Sequence, residues 1–196
     1  MSAFVTILND AASGGGSEAI EEALRGLDIE VKLAAKPEEI DARSDLVLVL
    51  QAEKHGSAFN AYALKQGITW LPVQFSHTIG RIGPLIIPKV TACFACLELR
   101  CASNGVPPLM HKENRFAVSW SLIGAIAAME TIKWVSRHTN NFSPLSLGHV
   151  IEFDAFHLQG DVNPVYKLPT CPSCGVRHQA HLAAQPWREA ELVHSL

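Results

Sequence analysis

Apolar positions along the first half of the chain fall in short runs separated by helical stretches. Phe4-Val5-Thr6-Ile7-Leu8 predicts a strand, and a glycine-rich loop follows at Ser13-Gly14-Gly15-Gly16-Ser17. Glu18 to Arg25 predicts a helix, with Ser17 as its N-cap and acids in its first turn. Ile29, Val31 and Leu33 alternate with other residues, which marks a half-buried strand. Pro37-Glu38-Glu39-Ile40 predicts a short helix with Pro near its start. Leu46-Val47-Leu48-Val49-Leu50 is apolar at every position, the signature of a strand covered on both faces. Ser57 to Gln66 predicts a helix ended by Gly67, and Ile68 to Val73 the next strand. Strands alternating with helices imply a mainly parallel sheet with right-handed crossovers.

The second half has a different pattern. Phe75 to Ile87 predicts extended segments broken by Gly80, Gly83 and Pro84. A cysteine cluster follows at 93–101, and Asn104-Gly105-Val106-Pro107-Pro108 must be a loop. Arg115 to Arg137 carries the longest helical pattern, with Lys133, Arg137 and His138 favourably placed at its C-terminal end. Trp120 and Trp134 share that helix with Leu122, Ile123, Ile126 and Ile132, so both read as core or dimer surface rather than a cofactor box. His149 to Leu158 predicts a strand, Asp161-Val162-Asn163-Pro164 a turn, and Val165 to Leu168 an antiparallel return. The expected architecture is α/β: a Rossmann-like, mainly parallel sheet with a C-terminal antiparallel extension. Residues 1–175 form the domain and 176–196 a tail that is helical or mobile.

Composition narrows the function. In 196 residues, 48% are hydrophobic and 18% charged, which supports a substantial core and excludes a disordered chain. The net charge of −3 offers no basic excess, so nucleic acid is not an expected partner. Met1-Ser2-Ala3-Phe4 has no positive n-region, so no secretory signal is expected. The apolar stretch Phe116 to Met129 is shorter than the ~20 residues of a bilayer span and contains Ser119, Ser121 and Gly124, so no membrane association is expected. Five cysteines without an export signal point to thiols or metal ligands in a reducing compartment, the cytoplasm.

Four of those cysteines form two CxxC pairs, Cys93-Phe94-Ala95-Cys96 and Cys171-Pro172-Ser173-Cys174. Each pair brings two sulfurs to one side of a tight turn, and two such turns supply the closed tetrahedral thiolate set of structural zinc. The ion would clip the root of one helix to the C-terminal hairpin. A redox CxxC acts alone, opening a helix after a strand; it and a pair of disulfides are the rival readings. Four thiolates leave no open position for catalytic water, so no catalytic residue is assigned. Cys101 stands apart, either a buried free thiol or a nucleophile. The nine histidines are scattered, and His178 and His181 read as part of a solvated tail rather than a metal site.

The glycine loop is where phosphate could sit on a helix N-terminus. Against G-x-G-x-x-G, the stretch Ala11-Ala12-Ser13-Gly14-Gly15-Gly16 has Ala11 and Ser13 in place of the first two glycines, and Leu33-Ala34-Ala35-Lys36 stands where an acidic residue would hold a ribose. It is a degenerate nucleotide loop, a working one, or an unrelated turn.

The order of strand, Gly loop, helix, apolar strand, CxxC opening a helix, long apolar helix and final CxxC-Gly resembles the ThiF-type adenylating enzymes that activate ubiquitin-like and sulfur-carrier proteins, from about Phe4 to Gly175. The segment from Gly83-Pro84-Leu85 through Thr91-Ala92-Cys93-Phe94-Ala95-Cys96-Leu97-Glu98-Leu99-Arg100 is similar to the activating-enzyme-like domain found in biosynthesis of thiazole/oxazole-modified peptides, the azoline bacteriocins. An active adenylating member carries an aspartate where this chain has Leu50-Gln51-Ala52, and its Arg-x-x-x-Lys-type phosphate clamp is not evident here. The loop Ser103 to Asn114 has no Cys to accept a thioester. The resemblance thus implies the fold and Zn2+ without ATP or adenylation. It implies a scaffold or activating subunit for a YcaO-type cyclodehydratase that forms azolines on a ribosomal precursor peptide, working as a homodimer. A winged-helix domain usually precedes this one and binds the leader peptide; the sequence begins at the first strand, so leader recognition is expected either from a separate protein or from a segment ahead of Met1. The alternatives are an adenylating enzyme for a carrier protein and a zinc-stabilised interaction module.

Overall fold

The computed structural model describes residues 3–9, 17–25, 27–109, 117–139 and 142–175. Its elements, in chain order, are β1 (Ala3–Leu8), α1 (Ser17–Leu24), β2 (Ile29–Ala34), β3 (Leu46–Leu50), α2 (Ala52–Gln66), β4 (Trp70–Ser76), β5 (Ile79–Ile82), α3 (Phe94–Ser103), α4 (Ala117–Val135), β6 (His149–Asp154) and β7 (Gln159–Pro164). A single 3-10 turn at Pro37–Glu39 sits between β2 and β3. The strands form one seven-stranded sheet in the order β2-β1-β3-β4-β5-β6-β7. Pairing is parallel from β2 through β4 and antiparallel from β4 to β7. This is the mixed α/β sheet with an antiparallel C-terminal extension that the sequence predicts.

Helices cover both faces. On one face, Leu46, Leu48 and Leu50 of β3 pack with Ile20 and Leu24 of α1 and Trp120, Ile123 and Ala127 of α4. On the other, Val47 and Val49 pack with Phe59 and Ala63 of α2 and Phe94 and Leu97 of α3. Successive strand residues point to opposite faces, so a strand buried on both sides must be apolar throughout. Trp120 belongs to the core, stacked on Phe75 at 4.3 Å. Trp134 is partly buried against it and donates its indole N–H to the Asp45 carbonyl at 3.1 Å.

Several boundaries differ from expectation. Helix α2 begins at Ala52, not Ser57, because Gln51 takes a left-handed conformation (φ 54°) that turns β3 straight into the helix. The extended segment after Phe75 resolves into the end of β4 and a paired strand, β5. The second hairpin turns at 155–158, not at 161–164, so its return strand is β7 and not Val165 to Leu168. The reason is local: Asp154 accepts the backbone N–H groups of Phe156 (2.9 Å) and His157 (3.3 Å), and Leu158 adopts φ 53°. Both give the chain a tight turn there. The glycine loop at 13–16, the N-cap geometry ahead of Ser17, His178, His181 and the tail lie outside the described residues.

A buried carboxylate pins the connection between α4 and β6. Glu130 is only 2% exposed; it accepts the Ser146 backbone N–H (2.7 Å) and hydroxyl (2.8 Å) and the Lys133 ammonium (2.7 Å). Ser146 in turn accepts the Leu85 N–H on its carbonyl at 2.8 Å, which ties in the segment leading to the first CxxC. Removing one partner of a buried charged network leaves the others desolvated and unpaired. Glu130→Ala is expected to destabilise the fold by about 3 kcal/mol, read as a lower urea midpoint with an unchanged m-value.

Candidate metal centre

The two CxxC pairs meet behind α3 although they lie 78 positions apart in sequence. The four sulfurs all fall within 4.8 Å of one another. The Sγ–Sγ separations are 3.9 Å for Cys93–Cys96, 3.7 Å for Cys93–Cys171 and 3.4 Å for Cys96–Cys174. A disulfide needs about 2.05 Å, so these are free thiols. Four sulfurs at ~2.3 Å from a tetrahedral ion stand about 3.8 Å apart. The cluster therefore has the size and the donor set to bind a metal ion. Cys93, Cys96 and Cys171 are buried and Cys174 half-buried.

Each turn is built by identifiable contacts. Thr91 Oγ1 accepts the Ile87 N–H (2.8 Å) and donates to the Leu85 carbonyl (2.9 Å), closing the bend that delivers Cys93. Cys93 sits at the N-cap of α3, where its own side chain makes no capping bond. The cap is supplied instead by buried Asn60 of α2, whose Oδ1 accepts the Phe94 N–H at 3.1 Å. Gly56, one turn earlier on α2, lies against the Phe94 ring; a Cβ there would come within 2.7 Å of it. At the second turn Gly175 donates its N–H to the Cys171 carbonyl at 2.8 Å. A Cβ at Gly175 would run into the carbonyls of Cys171 and Pro169, so the glycine after the last cysteine is a steric requirement. The Leu168 N–H points at Cys96 Sγ, 3.4 Å away, the kind of donor that holds a thiolate.

The thiols do not titrate alike. Burial pushes the Cys93 and Cys174 thiols up. Burial also opposes ionisation of Cys171, but the backbone N–H groups of Cys174 and Ser173 and the neighbouring thiols stabilise its thiolate and bring it down to about 7. A bound cation would favour all four thiolates, so protons and metal compete for the site and metal affinity falls as pH is lowered. Cys101 is half-buried rather than buried and lines a cavity of about 220 Å³ with Gln74, Arg81 and Glu98. Burial raises its pKa too, which works against the nucleophile reading.

At the other end of the sheet, the order β2-β1-β3 reverses direction of winding at β1, the position where open α/β sheets bind ligands. A cavity of about 490 Å³ lies there, lined by Leu8, Ala35, Glu38, Leu50, His55 and Tyr62 among others. No Lys or Arg is among the described lining residues. Gln51, at the end of β3, is 1% exposed and donates its side-chain N–H to Asn9 Oδ1 at 3.3 Å. Neither Asn60 nor the Gln51–Asn9 pair was legible in sequence: each is a single polar residue whose partner is brought in by the fold. Arg81, paired with Glu152 directly across β5 and β6, was missed for the same reason.

The sequence matches no family model and no curated protein. The fold is similar to that of a heterocyclase solved in complex with substrate and cofactor (TM-score 0.72, 23% identity, 88% of this chain and 25% of that one). It is similar to the heterocyclase TruD (TM-score 0.65, 22% identity, 88% and 27%). It also matches Escherichia coli MccB with ATP (TM-score 0.67, 18% identity, 88% and 67%). The chain thus spans about a quarter of the heterocyclase chains. These likenesses establish the fold.

Asn60→Ala leaves the Phe94 N–H uncapped and buried beside Cys93. It is expected to cost about 1–2 kcal/mol of stability and to weaken binding of added zinc, both measurable by calorimetry. Asn60→Asp, which keeps the acceptor, should restore most of the zinc affinity.

Proposed function

We propose that this chain is a non-adenylating scaffold and partner-activating subunit of azoline formation. It works with a YcaO-type cyclodehydratase on a ribosomal precursor peptide, and its four thiols hold a structural zinc ion. The observation that carries this reading is the pairing of a complete four-sulfur cluster with a switch-point cavity whose described lining holds no cation. A triphosphate carries several negative charges, and phosphoryl chemistry depends on positioned positive charge. The likeness to the heterocyclases supports the pathway, while the sulfur geometry supports zinc.

In this reading Cys93, Cys96, Cys171 and Cys174 saturate the ion, which supplies a rigid cross-link and no reaction centre. Residues 1–175 are the functional domain. The reduced thiols suit a cytoplasmic protein, and no helix among the described residues is long and apolar enough to cross a membrane. A homodimer would use α4, whose Val118 and Met129 are 77% and 53% exposed along one side.

A second reading, an adenylating enzyme, draws on the likeness to MccB with ATP. Two measurements separate them. Mass spectrometry of precursor peptide treated with the YcaO-type enzyme and ATP should show water loss at ring positions only, or far faster, when this chain is added. The chain alone should catalyse no ATP–pyrophosphate exchange with any carrier protein. Exchange, or no effect on the cyclodehydratase, favours the second reading.

Elemental analysis is expected to give one zinc per chain. Cys96→Ser should lose it and lower the Tm by many degrees, since zinc binding in small modules is coupled to folding by about 10 kcal/mol or more. Zinc should dissociate progressively below neutral pH, because protons then occupy the sulfurs.

A further inference from the structure

Beside the sulfur cluster, three cations converge on one surface. Lys89 and Val90 form the tip of the bend ahead of Cys93, and Lys89 holds a left-handed backbone (φ 69°) unusual for a side-chain-bearing residue. Lys167, in the segment ahead of Cys171, donates its ammonium to the Lys89 carbonyl at 2.8 Å. Its neighbour Tyr166 accepts the Arg100 Nε–H of α3 on its carbonyl at 2.8 Å, and the Arg100 guanidinium lies 5.6 Å from the Tyr166 ring centre. These contacts bring the Lys167 ammonium to the backbone of exposed Lys89 and the Arg100 guanidinium to Tyr166, so the four residues adjoin one another. None of the three cations has a carboxylate partner among the described residues. Exposed apolar side chains adjoin them along the chain: Val90 at 70%, Tyr166 at 66% and Leu99 at 43%.

In a chain of net charge −3, three neighbouring cations with no carboxylate partner among the described residues raise the local positive potential. The strained Lys89 conformation adds to that cost. We infer that this face, organised by the two CxxC turns, is a docking surface for an acidic peptide segment that also carries a large apolar residue. The carboxylates would pair with Lys89, Arg100 and Lys167, and the apolar residue would cover Val90 and Tyr166. The apolar centre favours a polypeptide over a phosphate polymer, which would use only the charges. The inference deepens the scaffold reading and rests on it for the partner's being a protein, since it names the chemistry of the segment that docks.

The test is fluorescence anisotropy on the zinc-loaded chain with a short fluorescein-labelled peptide of Glu, Asp, Phe and Leu residues. Binding is expected to weaken with salt. The triple variant Lys89→Glu/Arg100→Glu/Lys167→Glu should lose about tenfold or more in affinity, and Val90→Ser/Tyr166→Ser should lose several-fold at unchanged salt dependence. The corresponding triple Gln variant serves if charge reversal disturbs folding; zinc content and thermal melting report that directly. No binding, binding indifferent to either set of substitutions, or equal binding of a phosphate polymer of matched charge would overturn the inference. Heterocyclisation is scored separately: peptide binding without any effect on the cyclodehydratase removes the scaffold reading and leaves the docking surface standing.

Discussion

The convergence of Cys93, Cys96, Cys171 and Cys174 is the constraint on which the C-terminal half of the fold depends. Two segments 78 positions apart are held with their four sulfurs within 4.8 Å of one another, a spacing too long for disulfides and suited to one tetrahedral ion. The first segment roots α3, and the second follows the β6–β7 hairpin. Joining them closes the far end of the sheet over the face that α2 and α3 cover. The support is polar and specific. Asn60 caps α3, Thr91 sets the bend before Cys93, and Gly175 leaves room where any side chain would strike the Cys171 and Pro169 carbonyls.

The two ends of the sheet differ in character. At the switch point the architecture offers the crevice where α/β proteins hold nucleotides, and the crevice keeps its volume. Its described wall is mostly apolar and carries Glu38 and His55 but no Lys or Arg, and Gln51 at the end of β3 folds back onto Asn9. At the sulfur end the contacts are complete. The proposed scaffold reading rests on this contrast between a four-sulfur cluster and a crevice whose described lining carries no Lys or Arg, more than on likeness to any one solved structure.

The same contrast gives the basic patch its meaning. Lys89, Arg100 and Lys167 come from the bend, the helix and the segment that the two CxxC turns bring together. If the sulfur cluster opens, the patch disperses with it. In the proposed reading, metal binding and partner docking are therefore linked through the two turns.

Much of this was legible in the sequence. Uninterrupted apolarity at Leu46–Leu50 announces a doubly covered strand, and alternation with helices announces a parallel sheet, because side-chain direction along a strand depends on nothing beyond the backbone. The two CxxC pairs identify themselves in the same way, since each is a local turn geometry. What tertiary structure alone decided are partnerships across long sequence distances: Asn60 with Phe94, Glu130 with Ser146, Arg81 with Glu152, and Lys167 with Lys89. The start of α2 and the place of the second hairpin turn belong there too. Gln51, Asp154 and Leu158 take conformations or hydrogen bonds that packing selects from several the chain could locally adopt. Pattern reports which face a residue must bury, and only the closed fold determines which polar group waits on the other side.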